Sequence, residues 1–242
     1  MKKQNFLTSF PIAHRGIHYK YLENTIKAFE EAIKNNYIIE LDVRLTKDNQ
    51  VIVYHDYSLK RIFGINREIN DLTLKEIKKY KYIPTLKEVL DFVNGRTPII
   101  IELKSNKKVG QLEIRVAKLL DNYSGKIAIQ SFNPLSLLWF KLNRKNIIRG
   151  YLLYTIKNDN FLIKLVLNSR CLKKIIKPNY LGVNLHALEN TYIKQLRKNN
   201  LIIGYTITTK EEYEKYKYLA DNFIIDIKKQ ETVPLRTVSQ KE

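Results

Sequence analysis

The sequence predicts an α/β fold, a (β/α)8 TIM barrel with a small β-hairpin extension after the second strand. Apolar, β-branched runs recur along the chain, and most are separated by about 15–30 residues with helical spacing. One pair of runs is separated only by Arg44–Gln50, whereas a parallel crossover needs about a dozen residues or more. Nine runs less this returning strand leave the eight of a closed barrel. The predicted strands are Phe10–Ala13, Ile38–Val43, Val51–Tyr54, Pro98–Leu103, Ile127–Gln130, Arg149–Leu153, Leu181–Leu185, Ile202–Ile207 and Phe223–Ile227.

The short connection predicts an antiparallel hairpin with a two-residue turn at Asp48–Asn49. In that register Asp42 would lie opposite His55, and directly opposed residues share one face of the sheet. Glu40 would share the face as well, because strand side chains alternate. The hairpin therefore predicts a cluster of Glu40, Asp42 and His55.

Helical patterns fill the intervals between the strands. In Asn24–Asn36 the apolar residues recur at helical spacing along one face. In Thr85–Val93 the first residue is a predicted N-cap, and Glu88 follows three residues later as in a capping box. Helices between parallel strands are what a barrel requires.

Length and composition predict one domain over residues 1–242, with a flexible tail from about residue 230. The single cysteine, Cys171, excludes an intrachain disulfide and favours a reducing, cytoplasmic location. The amino-terminal segment is broken by Pro11 and does not fit a cleaved signal peptide. No apolar run approaches the roughly 18 residues that a membrane span needs.

The net charge is +19, from 43 basic and 24 acidic residues, and such a field attracts polyanions. Because the lysines are scattered along the predicted helices, we interpret most of the charge as solvated surface. The apolar and basic segment Asn160–Lys177 keeps open weak association with an anionic membrane surface. No nucleic-acid recognition motif accompanies the charge, so nucleic acid is not a predicted partner.

Acidic residues and histidines lie at or near the ends of several strand-like runs. Carboxylate oxygens are hard ligands for a divalent cation, and imidazoles transfer protons near neutral pH. Together they predict metal-assisted cleavage of a phosphate ester. The segments are IAHRG (Ile12–Gly16), LENT (Leu22–Thr25), IELDV (Ile39–Val43), VYHD (Val53–Asp56) and IELK (Ile101–Lys104).

In these motifs, and in their order and spacing, the chain resembles the barrel-shaped glycerophosphodiester phosphodiesterases. The resemblance is dense from residue 12 to about 134 and thin beyond it. It implies hydrolysis of a small-molecule glycerophosphodiester to sn-glycerol 3-phosphate and an alcohol, at the C-terminal mouth of the barrel. The resembling parts are His14–Gly16, Glu23–Thr25, Ala28–Phe29, Glu40–Val43, Thr46–Asp48, His55–Asp56, Ile83–Leu90, Ile101–Lys104 and Gln130–Phe132.

Glu40, Asp42 and Glu102 are the predicted ligands of one divalent cation, and the resemblance implies the same three positions. Their oxygen atoms suit Mg2+ or Ca2+. The resemblance also implies a general acid and a general base at the two motif histidines. We assign His14 as the base and His55 as the acid, with His55 as a metal ligand the alternative.

Arg15 and Lys104 are predicted to bind the phosphoryl oxygens of the substrate. The alternative for Lys104 is an ion pair that holds Glu102. Tyr205 stands where the family favours a tryptophan, so it is predicted to line the glycerol side of the pocket. Of the two remaining histidines, His18 is expected at the surface.

Two other functions stay open. A related enzyme, such as a lysophospholipase D or another phosphodiesterase of membrane surfaces, would use the same site on a lipid. A binding or regulatory protein on a degenerate barrel would lack the chemistry, and the presence of all the candidate residues argues against it. The sequence makes no prediction of the oligomeric state.

Overall fold

The computed structural model describes residues 6–105, 109–153 and 170–226. Within them a nine-stranded sheet has the order β1-β9-β8-β7-β6-β5-β4-β2-β3, and β1 also pairs with β2. This last pairing closes the parallel strands into a barrel, while β3 pairs antiparallel with β2 outside it. The predicted barrel and its hairpin are therefore confirmed. The strands are β1 (Ile12–Ala13), β2 (Ile38–Leu45), β3 (Val51–Val53), β4 (Ile99–Leu103), β5 (Ile127–Ser131), β6 (Ile148–Leu152), β7 (Tyr180–Asn184), β8 (Leu201–Ile207) and β9 (Asn222–Ile225).

The α-helices of the described residues lie mostly between parallel strands, as expected for crossover connections. The side chain of Thr25 accepts a hydrogen bond from the backbone of Ala28 and so begins the first helix. Thr85 and Glu88 form the predicted capping box at the start of the fourth. The helices are α1 (Ile26–Lys34), α2 (Lys60–Phe63), α3 (Leu74–Ile77), α4 (Leu86–Val93), α5 (Gln111–Leu120), α6 (Pro134–Asn143), α7 (Arg170–Ile176), α8 (Thr191–Arg197) and α9 (Lys210–Tyr216).

The strands are buried on both faces, which explains their nearly continuous apolar sequences. One set of side chains packs outward under the helices, and β2 supplies Ile39, Leu41 and Val43 to it. A separate apolar cluster includes residues from many of the parallel strands, with Leu7 of the short 3-10 helix Phe6–Thr8 packed against it. Along β2 this second set begins with Ile38 and, by alternation, continues with Glu40 and Asp42. Polar residues therefore occupy the C-terminal end of the barrel. The second cluster comprises Leu7, Ile12, Ile38, Ile100, Ala128, Tyr180, Ile203 and Ile224.

The predicted register of the hairpin is wrong by one residue. Leu45 pairs with Val51, and the backbone nitrogen of Thr46 donates to the carbonyl of Gln50 at 3.0 Å. The loop consequently has three residues, with Asn49 in the left-handed region at φ 57°. A one-residue shift changes every opposed pair.

Asp42 therefore does not lie opposite His55. Its backbone carbonyl accepts a hydrogen bond of 2.9 Å from the nitrogen of Tyr54, which takes the opposing place. His55 follows the paired residues and approaches the barrel mouth from the segment after β3.

The segment between β3 and α4 forms a small apolar cluster of its own that the sequence analysis did not predict. It contains α2, α3 and the 3-10 helix Ile69–Asp71. The cluster packs around Ile52 and Tyr54, so it is anchored to the hairpin strand. This places the segment beside the barrel mouth. Its buried members are Ile52, Tyr54, Leu59, Ile69, Leu72, Ile77 and Ile83.

Two sequence-based predictions fall mainly outside the described residues. Of the basic, apolar segment Asn160–Lys177, only residues 170–177 are described, and Arg170–Ile176 is helical. The expected flexible tail from about residue 230 is also outside them. In the part of the chain that is described, no helix has both the length and the apolar character to cross a membrane.

Candidate active site

Three carboxylates meet at the C-terminal end of the barrel. Glu40 and Asp42 come from β2 and Glu102 from β4, where Asp42 and Glu102 are direct neighbours in the parallel register. One oxygen from each side chain lies within 4.8 Å of the others. The three residues are 1%, 1% and 7% exposed. Hard oxygen donors gathered in so small a space fit a divalent cation such as Mg2+ or Ca2+.

Two cations neutralise part of this cluster. Lys104 Nζ lies 3.1 Å from Asp42 Oδ1 and 2.5 Å from Glu102 Oε1, while Arg15 Nε lies 3.2 Å from Asp42 Oδ2. The ion pair between Lys104 and Glu102, considered as an alternative from the sequence, is present. The position of Lys104 also leaves it next to any phosphate that approaches the carboxylates.

The pKa values of Glu40 and Asp42 are shifted in opposite directions because the two carboxylates have different neighbours. Burial, followed by the charge of Asp42, raises the pKa of Glu40 well above its usual range. Burial acts on Asp42 in the same direction, but Lys104 and Arg15 outweigh it and hold the pKa of Asp42 well below its usual range. A cluster that resists full ionisation is short of positive charge, as expected of a site for a divalent cation.

The turn after β1 presents Arg15 to the acids. Arg15 and Gly16 both have positive φ, 56° and 80°. A Cβ atom on Gly16 would lie 2.8 Å from the backbone of Ala28, so only glycine lets the turn pack on α1. The backbone nitrogen of Arg15 then donates to Glu40 Oε2 at 3.1 Å.

Two amides that the sequence analysis did not assign hold the carboxylates in place. Asn24 Nδ2 donates to Asp42 Oδ2 at 3.0 Å, and Asn24 is 2% exposed. Gln130 Nε2 donates to Glu40 Oε1 at 3.2 Å while its oxygen accepts from the hydroxyl of Tyr180 at 3.1 Å. Both amides lie inside motifs that carry the family resemblance, and that was the signal available.

His14 follows β1 and contacts a carboxylate from the other end of the chain. Its Nδ1 lies 3.5 Å from Asp226 Oδ2, and His18 Nε2 lies 3.1 Å from Asp226 Oδ1. Burial opposes ionisation of Asp226, but the two histidines outweigh it and hold the pKa of that carboxyl below its usual range. His18, expected at the surface, is instead half-buried because it packs against this carboxylate. Asp226 was missed because neither periodicity nor spacing relates the two ends of a chain.

His55 has a carboxylate partner in the next residue. Its Nδ1 lies 2.6 Å from Asp56 Oδ1, and Arg61 Nε donates to Asp56 Oδ2 at 2.6 Å. Burial lowers the pKa of His55, and the charge of Asp42 opposes that shift. The two candidate histidines thus each lie against a carboxylate, Asp226 for His14 and Asp56 for His55.

An aromatic pair lies on another part of the mouth. The Tyr205 hydroxyl, at the end of β8, donates to the carbonyl of Leu153 at 3.0 Å. Its ring meets Phe132 edge to face, with centroids 6.1 Å apart. β8 lies across the barrel from β4 in the strand order, so Tyr205 faces Glu102 across the mouth, whereas Phe132 follows β5, the neighbour of β4. His186, the fourth histidine of the chain, is exposed.

A parallel barrel with carboxylates, histidines and cations at its C-terminal mouth has the architecture of a phosphoric diester hydrolase, and the comparisons with known proteins agree. The sequence profile of the glycerophosphoryl diester phosphodiesterase family matches residues 14–226. The chain belongs to that family, and it is an enzyme of the phosphoric diester hydrolase class, as the sequence predicted.

Individual relatives match over different lengths. YhdW of Bacillus subtilis is 31% identical over 232 residues, which cover 88% of this chain and 92% of the relative. Lysophospholipase D GDPD1 of Homo sapiens is 40% identical over 143 residues, 51% of this chain and 44% of the relative. The crystal structure of a glycerophosphodiester phosphodiesterase from Thermotoga maritima superimposes with a TM-score of 0.73 at 32% identity. That match covers 89% of this chain and 93% of the other.

Proposed function

We propose that the protein hydrolyses glycerophosphodiesters to sn-glycerol 3-phosphate and an alcohol in a reaction that requires one divalent cation. The observation that carries the proposal is the set of three buried carboxylates whose oxygens lie within 4.8 Å of one another. Two histidines with carboxylate partners accompany them at the same mouth. Family membership supports the proposed reaction, and the side chains at the mouth support the proposed roles in metal binding and proton transfer.

Glu40, Asp42 and Glu102 would hold the cation. A bound divalent cation polarises a phosphate oxygen and lowers the pKa of an attacking hydroxyl. Asn24 and Gln130 fix the carboxylates from behind through the amide hydrogen bonds described above. Amide partners of this kind orient metal ligands.

Arg15 and Lys104 would bind the non-bridging oxygens of the phosphate. Both cations are largely buried and already contact Asp42, so they need little rearrangement to meet an added negative charge. Charge-assisted hydrogen bonds in a buried site stabilise the extra charge of the transition state. Their position beside the acids, rather than at the outer rim, favours this role.

His14 would act as the base. Because its Nδ1 faces Asp226, its Nε2 is left to take the proton of the attacking hydroxyl, either of water or of the glycerol 2-OH. The new P–O bond forms as the bond to the alcohol oxygen breaks. Where the 2-OH attacks, water opens the cyclic phosphate in a second step.

His55 would act as the acid and protonate the departing oxygen. Burial lowers its pKa, which makes the protonated ring a stronger donor to an alkoxide. Asp56 holds the other nitrogen of the ring. The proton that His14 gains and the one that His55 loses balance over the reaction.

Release of glycerol 3-phosphate from glycerophosphoglycerol tests the proposal. We expect His14→Ala and His55→Ala each to lower kcat by about 100-fold or more, the usual contribution of a general acid or base. His186→Ala is the matched control, because His186 is exposed, and it should keep wild-type activity. Wild-type kcat in both active-site variants would contradict the two-histidine mechanism. Turnover of lysophosphatidylcholine in preference to glycerophosphoglycerol would favour the lysophospholipase D alternative.

A further inference from the structure

A cavity of about 280 Å3 opens beside the acidic cluster, between the β2–β3 hairpin and the beginning of α5. Lys104 lines it and also pairs with Asp42 and Glu102, so this side chain lies between the cavity and the carboxylates. Its other cations are Arg44, from the end of β2, and Lys47, from the hairpin loop. Among the described residues the lining contains three cations and no carboxylate. We call this space the hairpin pocket.

Arg44 is the unusual member of the hairpin pocket. It is only 6% exposed, although arginine is rarely buried without a partner. Its Nε donates to the backbone carbonyl of His55 at 2.8 Å, and its guanidinium lies 4.0 Å above the ring centroid of Tyr57. In the described part of the chain no carboxylate forms an ion pair with it, and the charges of Asp42 and Asp56, which pair with other cations, act on it from a greater distance.

A buried guanidinium held by a carbonyl and an aromatic face retains donors for an anion. Burying a charge without a directly paired counter-ion is costly, so the position of Arg44 is understandable where a ligand supplies a negative charge in contact with it. Lys47 is exposed at the outer side of the same pocket and adds a second cation there. Lys104 adds a third at the inner side.

The position of the hairpin pocket determines which of the two ester-linked groups of the substrate, here called its arms, it would contact. A phosphate at the carboxylates has two ester arms, and an in-line displacement directs the departing arm away from the attacking group. Tyr205 of β8, which meets Phe132 edge to face, offers an aromatic ring to the glycerol arm across the barrel from β4. The alcohol arm is left to extend towards β2 and the hairpin, where the pocket lies.

We propose that the hairpin pocket binds the departing alcohol and selects alcohols that carry an anionic group, such as a second phosphate. The inference rests on the proposed function, because it names the substrate class of the same site. Cationic alcohols such as choline would meet three like charges in the pocket and be disfavoured.

Two matched substrates isolate the effect. In 1,3-bis(glycerophospho)glycerol the departing alcohol carries a second phosphate, and in glycerophosphoglycerol it does not. We expect wild-type kcat/KM to be about tenfold or more higher for the first, from one or two charge-assisted hydrogen bonds. Arg44→Gln should lower the ratio of the two kcat/KM values by about tenfold, and Lys47→Gln, tested separately, should lower it by a few-fold. Lys47→Gln changes an exposed side chain and guards against a folding defect in the first variant.

Lys87→Gln is the control for the general positive charge of the protein. It removes the same charge from a side chain that is 69% exposed on α4 and pairs with Asp91, and it should leave the ratio unchanged. If neither pocket variant changes the ratio while both substrates are hydrolysed, the pocket assignment is wrong and the proposed function stands. If the wild type hydrolyses no glycerophosphodiester, the proposed function fails and the inference fails with it.

Discussion

Two carboxylates of the candidate site, Glu40 and Asp42, are each held by neighbouring residues. Glu40 accepts from the backbone of Arg15 and from Gln130, and Asp42 accepts from Asn24. Side chains fixed in this way are preorganised, which is where most of the electrostatic contribution to catalysis arises. The supporting residues are therefore as much part of the site as the residues that would touch substrate.

Asp226 offers a test of such support through pH. Its folded-state pKa lies below the ordinary 3.8, so its contribution to stability is fully present above about pH 4 and is lost as the pH falls further. We expect Asp226→Asn to lower the free energy of unfolding by about 1 kcal/mol at pH 7, since solvent screens a partly exposed carboxylate. Urea denaturation at pH 7 and at pH 3 measures this.

The difference between Asp226→Asn and the wild type should be smaller at pH 3, where Asp226 is mostly protonated in the unfolded chain but still ionised in the folded one, and it should vanish only below the folded pKa. A destabilisation that is equal at both pH values would show that the carboxylate contributes packing rather than charge. In parallel, kcat of the variant should fall while KM changes little, because Asp226 orients His14 rather than touching substrate.

The residues that sequence patterns revealed were those at strand ends within motifs, such as His14, Glu40 and Glu102. Strand periodicity places such residues at one end of a parallel sheet, and their chemistry distinguishes them there. Asp226 and His18 could not be found in this way, because their contact depends on β1 pairing with β9. Arg44 was passed over because it was assigned to the hairpin connection, whereas it lies within β2 and is buried there.

The hairpin is the element in which the sequence analysis made its clearest error. A two-residue turn at Asp48–Asn49 is a common choice for this sequence, but Asn49 instead ends a three-residue loop in the left-handed region. Both loops satisfy the same residue preferences, so pattern alone does not decide between them. The error does not affect the grouping of Glu40, Asp42 and Glu102, because the parallel register of β2 and β4, and not the hairpin, brings them together.

Asn49 gives a stability prediction for this loop. Its φ of 57° costs a β-branched residue about 1–2 kcal/mol and costs glycine little. We expect Asn49→Val to lower the free energy of unfolding by that amount and Asn49→Gly, the matched control, to change it by less than about 1 kcal/mol, through the entropy of the unfolded chain. Equal stabilities of the two variants in chemical denaturation would contradict the left-handed loop.

At the level of the whole molecule, closure of the barrel brings together residues that are far apart in the sequence. It brings a carboxylate from after β9 to the histidine after β1, and it places Tyr205 of β8 across the barrel from β4. The net charge of +19 surrounds a buried acidic cluster, so anionic substrates are attracted to a mouth whose centre suits a cation. Eight-fold closure was predictable from the count of strands, while the apolar cluster after β3 was not, since it lies within an irregular segment.

The dependence of hydrolysis on a cation held by the three carboxylates is the central claim. The most direct measurement is glycerol 3-phosphate release by metal-free protein as Mg2+ or Ca2+ is added, with calorimetric binding of the same cation in parallel. Wild type should be inactive without metal and regain activity as about one cation binds per chain. Glu40→Gln should lose both binding and activity. Glu30→Gln, a change of the same charge at a side chain that is 48% exposed, should lose neither. Full activity of the metal-free wild type, or wild-type cation affinity in Glu40→Gln, would contradict the claim.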